Sequence, residues 1–258
     1  MHFLLLLSQQ IKRIQLKHLY LIIGFSLLLL FSCKNNNCFY NSGEIVVEKR
    51  VIDSYSTLHI EDVFIIDFVP DTADFVEIEA GENVIPGIET ELKDSILTIR
   101  NSNRCNWVRD LKDDPHITIH AKKIRNIELL GASEFYMKDT LIQDYFEFNI
   151  SAGISITSLL LKTKEFHFGF HSGTGDISLK GSSEISYLFN AGSGYLWAKE
   201  FYSDQLYTTN ASTGDSYVHA AERLVVRLRS LGDIYYTGNP EISITEKLSS
   251  GNLIENNK

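Results

Sequence analysis

Proline, cysteine and basic residues are all scarce in this chain. It has four Pro and three Cys among 258 residues, and 33 acidic residues outnumber 24 basic ones, a formal net charge of −9. Residues 1–32 hold three basic residues and no acidic one, so removing them lowers the charge from −9 to −12. Nucleic acids are bound through basic surfaces, so this balance excludes them as the expected partner.

Signatures of helical proteins and of common enzymes are also missing. After residue 40, no stretch keeps apolar residues at helical spacing over three turns. There is no GxSxG, HExxH or P-loop motif, and no CxxC pair or Cys/His cluster that would indicate zinc. Apolar residues make up 44% of the chain, which excludes a disordered protein. The 12 Tyr and 15 Phe favour strands.

The N-terminus has the pattern of a targeting segment. Residues 18–33 read HLYLIIGFSLLLLFSC, an uncharged run that follows three basic residues. This is typical of a secretory signal peptide, and it is short for a spanning helix, although an uncleaved anchor helix is the alternative. The Ser-Cys at its end resembles a bacterial lipobox. We therefore predict a signal peptide over 1–32, a lipid on Cys33 and a tether over 33–38.

The two remaining cysteines, Cys38 and Cys105, form an even pair in a chain that is predicted to leave the cytoplasm. An oxidising compartment favours a disulfide between them, which would pin the mature N-terminus to the domain. Two buried free thiols are the alternative.

Short strings recur about every 20 residues in the second half. Their anchor glycines are Gly175, Gly194, Gly214, Gly232 and Gly251, and weaker copies precede them from about residue 131. Apolar residues alternate within each copy, and a second strand-like segment lies between anchors. Two strands and two turns per copy predict an all-β solenoid, a β-helix with about 20 residues per coil. A β-sandwich is the alternative. No linker divides 39–258, so we expect one domain there.

Four strings resemble one family of bacterial envelope proteins. They are GEIVVEKRVIDSYSTLHIEDVFIIDF (43–68), GENVIPGIETELKDSILTIR (81–100), SGTGDISLKGSSEISY (172–187) and YYTGNPEISI (235–244). Together with the lipobox they are similar to the putative auto-transporter adhesin, head-GIN-domain family. That resemblance implies a right-handed parallel β-helix on secreted or lipid-anchored proteins, with no established enzyme activity or ligand.

Two sets of residues near the anchors are candidate sites. Trp197, Tyr217 and Tyr235 each stand three residues after an anchor, and the alternation points them outward as a column. Such a column suits sugar rings or a partner protein, or it stabilises the sheet by cross-strand stacking. Asp215 and Asp233 follow their anchors directly, so they could share a calcium ion or bond their own turns.

The expected function is that of a non-enzymatic, lipid-anchored scaffold in the bacterial cell envelope. It needs no cofactor, contacts the membrane through its lipid, and adheres to a glycan or an envelope protein. We expect the outer membrane, with the leaflet left open. The last coil, 251–258, offers an edge for self-association. The alternative is a carbohydrate-active β-helix enzyme of the polysaccharide lyase or hydrolase type, which would need clustered carboxylates.

Overall fold

The computed structural model describes residues 41–103, 114–151, 153 and 156–256. These ranges contain strands and one short 3-10 helix, and none of their helices is long and apolar enough to cross a bilayer. The signal peptide, Cys33, the tether, Cys38 and Cys105 lie outside the described residues and stay predictions. The elements, in chain order, are β1 (Ile45–Val51), β2 (Thr57–Ile60), β3 (Ile65–Pro70), β4 (Phe75–Gly81), the 3-10 helix (Ile85–Gly87), β5 (Ile88–Lys93), β6 (Ile96–Asn101), β7 (His116–Ala121), β8 (Asn126–Leu129), β9 (Glu134–Met137), β10 (Leu141–Ile150), β11 (Thr157–Phe170), β12 (Ile177–Asn190), β13 (Leu196–Asn210), β14 (Ser216–Leu228), β15 (Ile234–Thr237), β16 (Glu241–Lys247) and β17 (Leu253–Glu255).

The second half is a β-solenoid with about 20 residues per coil, as the repeat predicts. β11, β12, β13 and β14 pair in parallel, one strand per coil, and Leu159 lies opposite Leu179 in the next coil. The two strands predicted for each coil run together into one bent strand of 13 to 15 residues. Register shifts near Ser178 and Ala198 absorb the differences in coil length.

The first half does not stack its coils in chain order. β2 pairs in parallel with both β6 and β8, and β3 pairs with both β7 and β9, so the first coil lies between two later ones. Beyond β6 and β7, the neighbours are antiparallel: β4 pairs with β7, β1 with β4, and β5 with β6. The sequence pattern does not predict β2, β5 or this insertion, because β2 is only four residues long and β5 has a single buried residue.

Inward-facing residues alternate with outward-facing ones along every coil. The residues two after the anchors are at most 1% exposed in four of the copies, at Ile177, Leu196, Ser216 and Ile234, whereas Leu253 in the last copy is half-buried. Phenylalanines of successive coils stack in the interior, with ring centroids 5.9 Å apart for Phe146 and Phe166. Each coil therefore covers the apolar interior of the one before it.

The anchor glycines stack directly on one another. A Cβ on Gly214 would lie 2.0 Å from the carbonyl oxygen of Gly194, and a Cβ on Gly232 would lie 2.1 Å from that of Gly214. No side chain fits at such a distance without moving the backbone. The glycine at each turn is thus required by the close approach of consecutive coils.

The C-terminal coil leaves apolar positions uncovered. Ile242 and Ile244 of β16 lie opposite Leu224 and Val226, which are fully buried in the preceding coil. Ile242 and Ile244 are 41% and 51% exposed, because the described chain has no further coil to cover them. This end of the solenoid is an exposed apolar edge.

Candidate functional site

The three predicted aromatic residues stand in one row across adjacent coils. The strand register places Trp197 opposite Tyr217, and Tyr217 opposite Tyr235. Their rings are parallel: the centroids of Trp197 and Tyr217 are 4.5 Å apart at 12°, and those of Tyr217 and Tyr235 are 4.8 Å apart at 9°. We call these three residues the aromatic ladder. The structure therefore brings together the residues that the alternation selects.

Stacking decides which part of each ring is available to a partner. Because the rings of the aromatic ladder lie face to face, they cover one another's faces and leave mainly ring edges to solvent. Trp197 is 43% exposed, and Tyr195, equally exposed, stacks on it at 5.4 Å. The same residues therefore stack across strands and present a surface to solvent. The sequence analysis does not include Tyr195, although it stands two residues before Trp197 on the same side of the strand.

The tyrosine hydroxyls of the aromatic ladder remain hydrogen-bond donors at neutral pH. Partial burial and the nearby carboxylate of Asp215 raise the pKa of Tyr217. Desolvation, followed by Asp215 and Asp233, raises the pKa of Tyr235. Neutral hydroxyls at the ladder's edge can donate to the oxygens of a ligand.

The turn aspartates connect consecutive coils. The carboxylate of Asp215 accepts the backbone N–H of Asp233 at 2.9 Å, and that of Asp233 accepts the backbone N–H of Asn252 at 2.7 Å. Asp176 accepts the N–H of Tyr195 in the same way. Each bond reaches the next coil rather than the residue's own turn. Within the described ranges no group of three or more His, Cys, Asp and Glu could hold a metal ion, and calcium at Asp215 and Asp233 stays a prediction.

A second row of stacked rings lies on the other half of the long strands. The rings of His167 and Tyr187 are 4.5 Å apart, and those of Tyr187 and Tyr207 are 5.0 Å apart. Beside them is a groove of about 370 Å³, with Gly169 in its lining. This row is not predicted from the sequence, because the anchor glycines align only the first strand of each coil and give no register for the second.

Polar side chains form a connected network at the edge of this groove. Asn149 donates to Glu147 at 2.8 Å and contacts the imidazole of His171 at 3.0 Å. The side chain of Asn149 therefore holds the imidazole of His171 at this edge. A Cβ on Gly169 would lie 2.4 Å from both Asn149 and His171, so glycine makes room for this contact.

The fold and the outward-facing rows define the class of this protein, a β-solenoid that displays side chains along its coils. Its family is shown by a match over residues 54–240. These residues match the family described as putative auto-transporter adhesin, head GIN domain, and the match covers more than half of the chain. The chain belongs to this family, which confirms the resemblance inferred from the sequence. No curated protein matches the chain.

Solved structures share the fold. A putative adhesin from Bacteroides fragilis has a TM-score of 0.72 at 19% identity, over 83% of this chain and 97% of that one. A putative adhesin from Parabacteroides distasonis has a TM-score of 0.60 at 17% identity, over 83% and 98%. A structure described as a putative lipid binding protein, also from P. distasonis, has a TM-score of 0.59 at 18% identity, over 84% and 98%.

Proposed function

We propose that this protein is a non-enzymatic, adhesin-like scaffold of the bacterial cell envelope, with the aromatic ladder as its binding face. The family describes its members as putative adhesins, which supports an envelope role. The observation that carries the proposal is the aromatic ladder itself, a partly exposed row of Trp197, Tyr217 and Tyr235 on a rigid sheet. Trp and Tyr are the residues that binding surfaces favour.

The anchor in this proposal is a lipid on Cys33, after removal of residues 1–32. The lipobox-like end of the apolar run supports it. The lipid would hold the protein in the outer membrane, and the solenoid would extend from it. In this arrangement the lipid contacts the membrane, and the solenoid contacts the adhesion partner.

The binding partner in this proposal is a glycan or another envelope protein that approaches the ring edges. Consecutive rings are 4.5 to 4.8 Å apart, so the side chains repeat at the spacing of the strands. A partner gains hydrogen bonds to the tyrosine hydroxyls and apolar contact at the exposed Trp197–Tyr195 end. An extended chain of sugars that lies across the coils can use several rungs at once.

The test is the double variant Trp197→Ala with Tyr217→Ala, expressed in cells that lack the unaltered protein. We expect the variant to fold, shown by an unchanged far-UV circular dichroism spectrum, and to lose cell adhesion and glycan-array binding. Tyr202→Ala is the matched control, because Tyr202 is 56% exposed but lies outside the aromatic ladder. Unchanged binding by the double variant would remove the aromatic ladder as the binding face.

A further inference from the structure

A second cavity, of about 560 Å³, has no residue of the aromatic ladder in its lining, and it adjoins the second row of rings through Tyr145, whose ring centroid is 5.4 Å from that of His167. It is formed where four segments meet: 54–56 before β2, Asp74 before β4, 122–125 between β7 and β8, and 143–145 in β10. A cavity of this size accommodates a small ligand or the head of a larger one. We call it the basic cavity, for the reason that follows.

Three exposed cationic residues line the basic cavity, and none of them has a carboxylate partner among the described residues. Lys122, Lys123 and Arg125 all line it, and no ion pair joins any of them to an acidic residue in the described ranges. Many other basic residues do have such a partner, namely Lys49, Arg50, Arg100, Lys138, Lys164, Lys180 and Arg229. The chain as a whole is acidic, with a formal charge of −9, so this basic cluster is opposite in sign to the protein's net charge.

The acidic residues in the cavity's lining are already engaged. Asp74 is buried, and its carboxylate accepts the backbone N–H of Lys122 at 2.9 Å and faces the hydroxyl of Ser54 at 3.5 Å. Asp144 is exposed and forms an ion pair of 3.0 Å with Lys164. The ammonium and guanidinium groups of the three cations are thus left for a ligand.

The cavity wall also holds a guanidinium in place and contains an unused donor. Arg125 lies over the ring of Tyr145, with its Cζ 4.5 Å from the centroid, a cation–π contact that orders the side chain. The hydroxyl of Tyr55 is buried and has no hydrogen-bond partner among the residues that the structure describes. Burial, and then Asp74, raises the pKa of Tyr55, so its hydroxyl keeps its proton. A buried donor without an acceptor costs about 1–3 kcal/mol.

We propose that the basic cavity binds a phosphate group. Phosphate is the anion that suits this set, because its several oxygens accept from a planar guanidinium and from two mobile ammonium groups at once. In a bacterial envelope such a group occurs on lipid heads and on phosphorylated sugars. The site is separate from the aromatic ladder and does not depend on it.

The experiment is calorimetric titration of the full-length protein in a neutral detergent with inorganic phosphate, at constant ionic strength. We expect binding that weakens as sodium chloride is added, because the attraction between charges is screened. The triple variant Lys122→Ala, Lys123→Ala and Arg125→Ala should bind about tenfold more weakly or worse. The same titration is then made with glycerol 1-phosphate, which represents a lipid head, and with glucose 1-phosphate, which represents a phosphorylated sugar. The compound that binds with the higher affinity identifies the source of the phosphate group.

A matched triple variant controls for the loss of positive charge. The variant Lys93→Ala, Lys162→Ala and Arg223→Ala also removes two lysines and one arginine. All three are exposed, lie outside the lining of the basic cavity, and form no ion pair with a carboxylate in the described part of the chain. It should bind phosphate as the unaltered protein does. Phosphate binding that is no stronger than that of chloride, or an equal loss in both triple variants, would overturn the proposal. Thermal unfolding of each variant shows that it is folded.

Discussion

Replacing the central ring of the aromatic ladder tests whether stacking contributes to stability. Tyr217 stacks on Trp197 at 4.5 Å and on Tyr235 at 4.8 Å, so Tyr217→Ala removes two ring contacts. Aromatic pairs contribute about 0.5–1.5 kcal/mol each, so the free energy of unfolding should fall by about 1–3 kcal/mol. Folded domains have about 5–15 kcal/mol in total, so the variant should still fold. Urea unfolding followed by circular dichroism measures this loss.

Two comparisons separate stacking from general loss of a side chain. Tyr217→Phe keeps the ring and should lose much less stability than Tyr217→Ala. A double-mutant cycle of Tyr217→Ala with Tyr235→Ala should give a coupling free energy of about 0.5–1.5 kcal/mol, because the two rings are in contact. Tyr202→Ala, outside the ladder, should show no coupling to Tyr217→Ala. Additive effects within the Tyr217–Tyr235 pair would refute the idea that the ladder stabilises the sheet.

Three further predictions concern the turns, pH and the open end. Gly214→Ala should lower the melting temperature by several degrees, because its Cβ would lie 2.0 Å from a carbonyl oxygen of the preceding coil. Thr213→Ala, in the same turn, should leave the melting temperature unchanged. Equal melting temperatures for the two variants would contradict the close stacking of the glycines. Burial lowers the pKa of His219, so the unfolded chain takes up a proton first, and stability should fall as the pH drops below about 6.5. His219→Gln should reduce the loss of stability between pH 7 and pH 5, measured by urea unfolding. An unchanged loss would show that other groups cause it. The exposed Ile242 and Ile244 should drive concentration-dependent self-association, which sedimentation experiments measure. The double variant Ile242→Lys with Ile244→Lys should abolish it. An unaltered protein that stays monomeric would exclude this edge as a self-association surface.

The regular coils could be predicted from the sequence because their geometry repeats in the residues. Anchor glycines, the buried residue two positions later and the outward ring three positions later all follow from a strand that alternates its side chains. The same reasoning located Trp197, Tyr217 and Tyr235.

The first half and the two cavities could not be predicted in the same way. β2 and β3 are covered by strands that are far apart in the chain, and nothing in a four-residue strand specifies which neighbours it takes. The three cations of the basic cavity are close together in the sequence, within 122–125, but the cavity beside them is assembled from four separate segments and is not visible in the sequence. The turn aspartates bond the next coil, a contact that depends on coil spacing and not on local sequence.

The proposed adhesive scaffold, with a lipid on Cys33, requires that the solenoid be exposed at the cell surface, and protease shaving of intact cells tests this most directly. A C-terminal tag reports whether the solenoid is accessible, and cells with a disrupted outer membrane serve as the control for cleavage. The account predicts that the tag is lost from intact cells. A tag that stays protected until the outer membrane is opened would contradict adhesion and assign the protein to the periplasm.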